Sequence, residues 1–213
     1  MMLPMNAANR VTILRVVFIP LFLVVLLGEW PSFLSAPAFW DAAKPWIAAL
    51  IFGVLGATDA VDGYLARSRN EITTFGKFID PLADKLLVTA ALFALVDLDQ
   101  LPGWVAIVIV SRELIVSGLR MVAVAEGKII VASGYGKAKT VLQIVAIILF
   151  IVKDSAVVGQ RLGQVGLTWA EYLSWTVMVV AVAFTILSMV DYFYHARDVL
   201  TGPWTGESEA RTP

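Results

Sequence analysis

Four aspartates in the second quarter of the chain have spacings that suit shared work on a phosphate. Asp59 and Asp62 are three residues apart, and Asp80 and Asp84 are four residues apart. Residues three or four apart lie on one face of an α-helix, so each pair predicts two carboxylates on the same side of a helix. A short turn between the two helices would direct all four carboxylates to one place.

Four like charges in one place repel each other unless they are neutralised. Two divalent cations would neutralise four carboxylates, and two metals about 4 Å apart form a clamp for displacement at phosphorus. Oxygen ligands without histidine or cysteine favour Mg²⁺ or Mn²⁺ over zinc or copper. We therefore expect a two-metal phosphoryl-transfer site. Its predicted ligands are Asp59, Asp62, Asp80 and Asp84.

The composition shows which elements must position these acids. Hydrophobic residues make up 59% of the 213 residues and charged residues 15%, values outside the range of ordinary soluble domains. The sequence predicts an all-α integral membrane bundle of six transmembrane helices. The six apolar blocks are residues 10–28, 45–67, 77–97, 103–126, 137–153 and 171–195. A charge at the bilayer centre costs roughly 2.5 to 3.5 kcal/mol, so acids at membrane depth require compensation or a polar cavity.

The distribution of lysine and arginine predicts the orientation of the bundle. On the six-helix model, one side carries Arg10, Arg15, Arg67, Arg69, Lys77, Lys85, Lys128, Lys137, Lys139, Arg197 and Arg211, and the other carries Lys44, Lys153 and Arg161. The positive-inside rule makes the richer side cytoplasmic, so both termini and the acids face the cytoplasm of a multi-pass protein in the cell membrane. Tryptophans gather at the opposite interface: Trp30, Trp40, Trp46, Trp104, Trp169 and Trp175.

The organisation beyond the helices is simple. Residues 1–200 form one membrane domain, and residues 201–213 form a polar C-terminal tail. The formal net charge is −1, which gives no overall electrostatic footprint for nucleic acid, so we expect no nucleic-acid partner.

Basic residues near the acids are candidates for binding a second anion. Arg112 and Arg120 lie within the fourth apolar block, and Lys137 and Lys139 lie at the start of the fifth. Cations near a helix start suit an anionic phosphate. Two other interpretations remain open: Arg112 pairs with Glu113 as an internal ion pair, and the lysines anchor the helix at the membrane surface.

A polar stripe marks the start of the first helix. Asn9, Thr12 and Arg15 follow one another at intervals of three residues. Asn9 and Thr12 either contact the cytidine or phosphates of a nucleotide, or they cap the helix while Arg15 reaches the interface.

The motif carries a resemblance to a known family. The pattern D-x-x-D-G-x-x-A-R-x8-G-x3-D-x3-D fits residues 59–84 without departure. This is the signature of the CDP-alcohol phosphotransferases, which the chain resembles everywhere except in the tail. The resemblance implies transfer of a substituted phosphoryl group from a CDP-linked donor to an alcohol, with release of CMP. It also implies a homodimer.

The same resemblance implies roles for individual residues. By motif position, Asp59, Asp62 and Asp80 resemble the metal ligands that hold the donor pyrophosphate, and Asp84 resembles the catalytic base that also touches a metal. The residues expected to bind the CDP donor are Asn9, Thr12, Asp62, Gly63, Ala66 and Arg67. For Ala66, close packing between helices is the alternative.

Two segments narrow the acceptor. Arg112-Glu113 in the fourth block and the Gly-Lys-x-Lys-Thr stretch at residues 136–140 resemble those of bacterial phosphatidylglycerophosphate synthases, a branch of the family. The resemblance implies that CDP-diacylglycerol donates a phosphatidyl group to sn-glycerol 3-phosphate. The residues then expected to bind the acceptor phosphate are Arg112, Arg120, Lys137 and Lys139.

Two alternatives remain. The main motif reports donor chemistry only, so a member of the same family with inositol phosphate, serine or phosphatidylglycerol as acceptor is compatible with it. A cation transporter is a different class, because carboxylates also line ion paths. The acids cluster near one face, and no comparable set continues toward the other face, which disfavours transport.

Overall fold

The computed structural model describes residues 7–29, 39–69, 74–125 and 134–200, and this part of the chain is helical without a strand. Its six helices are α1 (Ala7–Leu27), α2 (Trp40–Arg69), α3 (Thr74–Asp97), α4 (Gly103–Ala125), α5 (Gly134–Val152) and α6 (Ala156–Leu200). Each predicted apolar block coincides with most of one helix. The predicted tail at residues 201–213 lies outside the described residues, as do Trp30 and Lys128.

The last helix differs from the expected one. α6 begins at Ala156 instead of near residue 171, and it is interrupted at Gly163, where φ is 62° and ψ is −164°. That backbone conformation is essentially restricted to glycine, because a β-carbon would collide with the backbone. The additional segment contains Gln160, Arg161 and Gln164. Their polarity excluded it from an apolar block, although polar residues also form helices.

Side-chain contacts give the directions of the last three helices. Gln143 hydrogen bonds Thr185, and Phe150 packs edge-on against Trp175 at 5.3 Å between ring centroids. The residue numbers rise along α5 while they fall along α6, so these helices are antiparallel. Across α4 and α6, Arg112 hydrogen bonds Ser188 and Val116 packs with Tyr192, so those two helices are parallel.

A cavity at one end of the bundle agrees with these helix directions. The connection between α3 and α4 and the connection between α5 and α6 line a single cavity of about 600 Å³. Lys153 and Asp154 contribute from one connection, and Asp99 and Gln100 from the other. The last residues of α4 and the first residues of α5 therefore lie at the opposite end, together with the last residues of α2 and the first residues of α3.

Apolar residues occupy both the inside and the outside of the bundle. Phe22 of α1 and Phe52 of α2 are fully buried, with ring centroids 5.6 Å apart. Every helix also exposes large apolar side chains, including Val24, Leu50, Phe93, Ile107, Val141 and Val179. Soluble monomers rarely display apolar surface of this extent, which is typical of helices that contact lipid.

Length and composition identify one membrane-crossing candidate among the described residues. The segment Ala156–Arg197 is both long and apolar enough to cross a bilayer. Arg15–Leu27 and Ala138–Val152 are apolar but shorter. The other helices carry charges inside their apolar stretches, and these charges include the motif acids.

Candidate active site

The acidic motif lies on two helices that contact each other. Asp59 and Asp62 lie in the last eleven residues of α2, and Asp80 and Asp84 lie in the first eleven residues of α3. α2 ends at Arg69 and α3 begins at Thr74, so the four acids are within three helical turns of one short connection. The backbone is helical at all four positions, as the spacing of the aspartates predicted. For residues 59–69 and 74–84 the structure describes the backbone alone.

The chemistry of this donor set fits a hard divalent cation. Four carboxylates without a thiolate or an imidazole supply the oxygen ligands that Mg²⁺ and Mn²⁺ prefer. Among the described side chains, no other group of three or more acidic, histidine or cysteine residues could hold a metal. The acidic motif on α2 and α3 is therefore the candidate metal site.

A second polar cluster, called the basic cluster below, joins α4, α5 and α6. It consists of Arg112, Glu113, Lys139 and Ser188. Glu113 is at its centre: its Oε1 accepts hydrogen bonds from the Lys139 ammonium and from Nη1 of Arg112, the latter at 3.4 Å. Arg112 also donates from Nη2 to the hydroxyl of Ser188. Arg112 and Lys139 are buried, and the Glu113 side chain is 17% exposed. The cluster thus places two buried cations around one carboxylate.

Hydrogen bonds on either side fix this cluster in place. Gln143, one turn after Lys139, donates from Nε2 to the Thr185 hydroxyl at 3.1 Å. The Thr185 hydroxyl donates in turn to the Ala181 carbonyl at 2.7 Å, and the Ser117 hydroxyl donates to the Glu113 carbonyl at 2.6 Å. Every pair among α4, α5 and α6 is therefore joined by a side-chain hydrogen bond.

The structure brings together two of the four cations expected to bind the acceptor phosphate. Arg112 and Lys139 share Glu113, which shows that the internal ion pair considered for Arg112 is formed. Arg120 is exposed two turns further along α4. Lys137 lies in the first turn of α5, where the structure describes the backbone alone.

The N-terminal stripe begins the first helix, as expected. Asn9 and Thr12 lie in the first two turns of α1, where again only the backbone is described. Arg15, one turn later, is 2% exposed and is one of the largest fully buried side chains. Its burial is difficult to reconcile with a purely interfacial anchor.

Sequence reasoning missed the partners of the basic cluster. Gln143, Thr185 and Ser188 are buried polar residues that bond across helices, and Tyr192 is a buried tyrosine one turn beyond Ser188. Gln143 gave a usable signal, because it lies four residues after Lys139 in an otherwise apolar helix. Thr185 and Ser188 gave none, because small hydroxyl residues are common in membrane helices.

Comparison with known proteins places the chain among lipid-modifying transferases. A family model described as CDP-alcohol phosphatidyltransferase matches residues 5–187. A Bacillus subtilis protein named CDP-diacylglycerol–glycerol-3-phosphate 3-phosphatidyltransferase is 39% identical over 88% of this chain and 93% of its own. An Escherichia coli K12 protein of the same name is 34% identical over 90% and 95%. A Mycobacterium tuberculosis H37Rv protein named probable phosphatidylglycerophosphate synthase is 37% identical over 91% and 83%.

Proposed function

Because the chain belongs to the CDP-alcohol phosphatidyltransferase family, we propose that it transfers a phosphatidyl group from CDP-diacylglycerol to sn-glycerol 3-phosphate. The products are phosphatidylglycerol phosphate and CMP. The similarity to relatives named for that reaction carries the proposal, since it extends over about nine tenths of the chain. The complete acidic motif on α2 and α3 supports the donor half of the reaction.

The basic cluster supports a phosphorylated acceptor. Two buried cations, Arg112 and Lys139, lie together around Glu113 at the level next to the acidic motif. Guanidinium and ammonium groups form strong hydrogen bonds with phosphate oxygens, and a neutral alcohol offers no charge for them to bind. We assign the acceptor phosphate to Arg112 and Lys139, with Lys137 and Arg120 as further contacts from the same end of the bundle.

The motif residues divide the chemical work. Asp59, Asp62, Asp80 and Asp84 would hold two divalent cations, Mg²⁺ or Mn²⁺, whose charge would neutralise the donor pyrophosphate and the departing CMP. Asp84 accepts the proton of the acceptor hydroxyl while the oxygen of that hydroxyl bonds to the lipid-linked phosphorus. The bond from that phosphorus to the CMP oxygen breaks, and CMP leaves with the electron pair. Phosphatidylglycerol phosphate and CMP therefore contain all the atoms of the two substrates except the proton that passes to Asp84.

Residues around the acids complete the donor site. Gly63 follows Asp62 directly and lets the nucleotide approach the backbone, while Arg67 offers a cation to its phosphates. Asn9 and Thr12 at the start of α1 contact the cytidine. Ala66 keeps α2 close to its neighbours at this level.

A membrane location fits the reaction and the surface of the bundle. Exposed apolar side chains on every described helix support six transmembrane helices. The excess of lysine and arginine at the end with the acids supports cytoplasmic termini and a site facing the cytoplasm of the cell membrane. A lipid donor then enters from the bilayer, while glycerol 3-phosphate and CMP exchange with the cytosol. A homodimer is the assembly implied by the family resemblance.

A panel of acceptors tests this function. Purified protein is supplied with CDP-diacylglycerol, Mg²⁺ and one radiolabelled acceptor, which is glycerol 3-phosphate, inositol 1-phosphate or serine. Phosphatidylglycerol, which is itself a lipid, is tested unlabelled by the release of CMP. Label should enter the lipid fraction with glycerol 3-phosphate alone. Labelling with another alcohol would retain the motif chemistry and overturn the acceptor. No labelled lipid with any acceptor, together with metal uptake by vesicles that lack CDP-lipid, would favour a cation transporter.

A further inference from the structure

Arg112 of the basic cluster and the neighbouring Tyr192 each have a buried hydrogen-bond donor without an acceptor among the described residues. Arg112 is 7% exposed and Tyr192 is 5% exposed. Within the part of the chain that the structure describes, the Nε of Arg112 and the hydroxyl of Tyr192 have no hydrogen-bond partner. Buried polar groups are nearly always bonded, because leaving one unpaired forfeits its hydration without replacement. Two such groups one turn apart indicate an acceptor that the described residues do not supply.

The two donors belong to the same place in the bundle. α4 and α6 run parallel, with Arg112 bonded to Ser188 and Val116 packed on Tyr192 one turn further along both helices. Moving from Ser188 to Tyr192 also leads toward the end of the bundle that carries the acidic motif. The tyrosine therefore lies on the motif side of the arginine.

Glu113 is not the acceptor of these two donors in the structure. Its Oε1 binds Lys139 and Nη1 of Arg112, while the Nε of Arg112 and the Tyr192 hydroxyl form no hydrogen bond to it. A phosphate monoester has several acceptor oxygens and a negative charge, which strengthens its hydrogen bonds with a guanidinium group. It can therefore satisfy a guanidinium nitrogen and a phenol hydroxyl together.

We propose that Tyr192 is a further acceptor-binding residue, whose hydroxyl donates to an oxygen of the acceptor phosphate beside Arg112. This inference rests on the proposed function, because the phosphate is that of glycerol 3-phosphate. Among the described residues the hydroxyl has no acceptor, so binding of the substrate phosphate would complete its hydrogen bonding. Alcohols without a phosphate gain nothing from it, so Tyr192 contributes to acceptor specificity.

The test compares Tyr192→Phe with Tyr194→Phe in the full-length purified protein. Each change removes one phenol oxygen, but Tyr194 is 64% exposed and packs against His195 and Arg197. Tyr192→Phe should raise the KM for glycerol 3-phosphate about tenfold or more, since the lost bond is to a charged group. The KM for CDP-diacylglycerol should stay unchanged, and Tm should not fall. Tyr194→Phe should match the parent protein throughout.

Direct binding separates this inference from the proposed function. Calorimetric titration with glycerol 3-phosphate, and with inorganic phosphate alone, should show the same loss of affinity in Tyr192→Phe. Equal affinity of the variant and the parent overturns the inference, as does a lower Tm without any change in affinity, which would indicate a structural hydroxyl or a bound water. If the parent protein binds glycerol 3-phosphate but releases no CMP, the proposed function fails, and the binding comparison still decides the role of Tyr192.

Discussion

Replacing Glu113 with glutamine is expected to destabilise the protein strongly. The change keeps the shape of the side chain but removes the negative charge shared by Arg112 and Lys139, both of which are buried. Breaking a buried ion pair by removing one partner costs about 3 to 5 kcal/mol, because a charge is left without compensation. For a chain of this size, that corresponds to a fall in Tm of roughly 6 to 20 °C.

Thermal unfolding of the purified protein in detergent measures the effect, with Glu171→Gln as the matched control. Glu171 is exposed at the opposite end of the bundle, so neutralising it should leave Tm within about 1 °C, as for surface changes generally. The double variant Glu113→Gln with Lys139→Met should recover part of the loss, because it also removes one of the two cations that bind the Glu113 carboxylate.

Two results would refute this reasoning. A Tm for Glu113→Gln equal to that of Glu171→Gln would mean that the cluster is hydrated and its charges need no compensation. Strictly additive effects of the Glu113 and Lys139 changes would mean that the two side chains do not interact. Either result would also remove the charge argument for a phosphate-binding cluster.

Three further predictions concern the backbone at Gly163, the hydrogen bond between Gln143 and Thr185, and the metal requirement. Gly163→Ala should lower the free energy of unfolding by about 1 to 3 kcal/mol, because alanine is strained at a φ of 62°, whereas Gly159→Ala, whose added carbon would lie 3.6 Å from Leu167, should not; thermal unfolding compares the two. Thr185→Val should cost about 1 to 3 kcal/mol by leaving the amide of Gln143 without its acceptor, and Thr185→Ser should be close to neutral in the same assay. Chelation by EDTA should abolish CMP release, and added Mg²⁺ or Mn²⁺ should restore it; full activity in EDTA would contradict the carboxylate site.

The helices could be predicted from sequence because apolar length is a local property. Five of the six apolar blocks match helices to within a few residues at most ends. The carboxylate spacing required only that α2 be helical at Asp59 and Asp62, and α3 at Asp80 and Asp84. α6 was the exception. Its first segment is polar, and the backbone at Gly163 is not helical, so a kink separates this segment from the apolar remainder of α6.

The basic cluster could be predicted only in part. Arg112 and Glu113 are neighbours in sequence, so their pairing was an open alternative from the start. Ser188 is 76 residues from Arg112, and Thr185 is 42 residues from Gln143. Such contacts depend on how α4, α5 and α6 pack, and hydropathy contains no information on which faces meet.

Turnover by Asp80→Asn tests the central claim most directly. CMP release from CDP-diacylglycerol is measured with glycerol 3-phosphate and Mg²⁺, and Asp97→Asn serves as the control because Asp97 is the exposed last residue of the same helix. We expect Asp80→Asn to lose activity by at least about a hundredfold with unchanged Tm, as for loss of a group that stabilises transition-state charge. Asp97→Asn should retain the activity of the parent protein. Undiminished CMP release by Asp80→Asn would contradict the assignment of phosphoryl transfer to the four motif carboxylates.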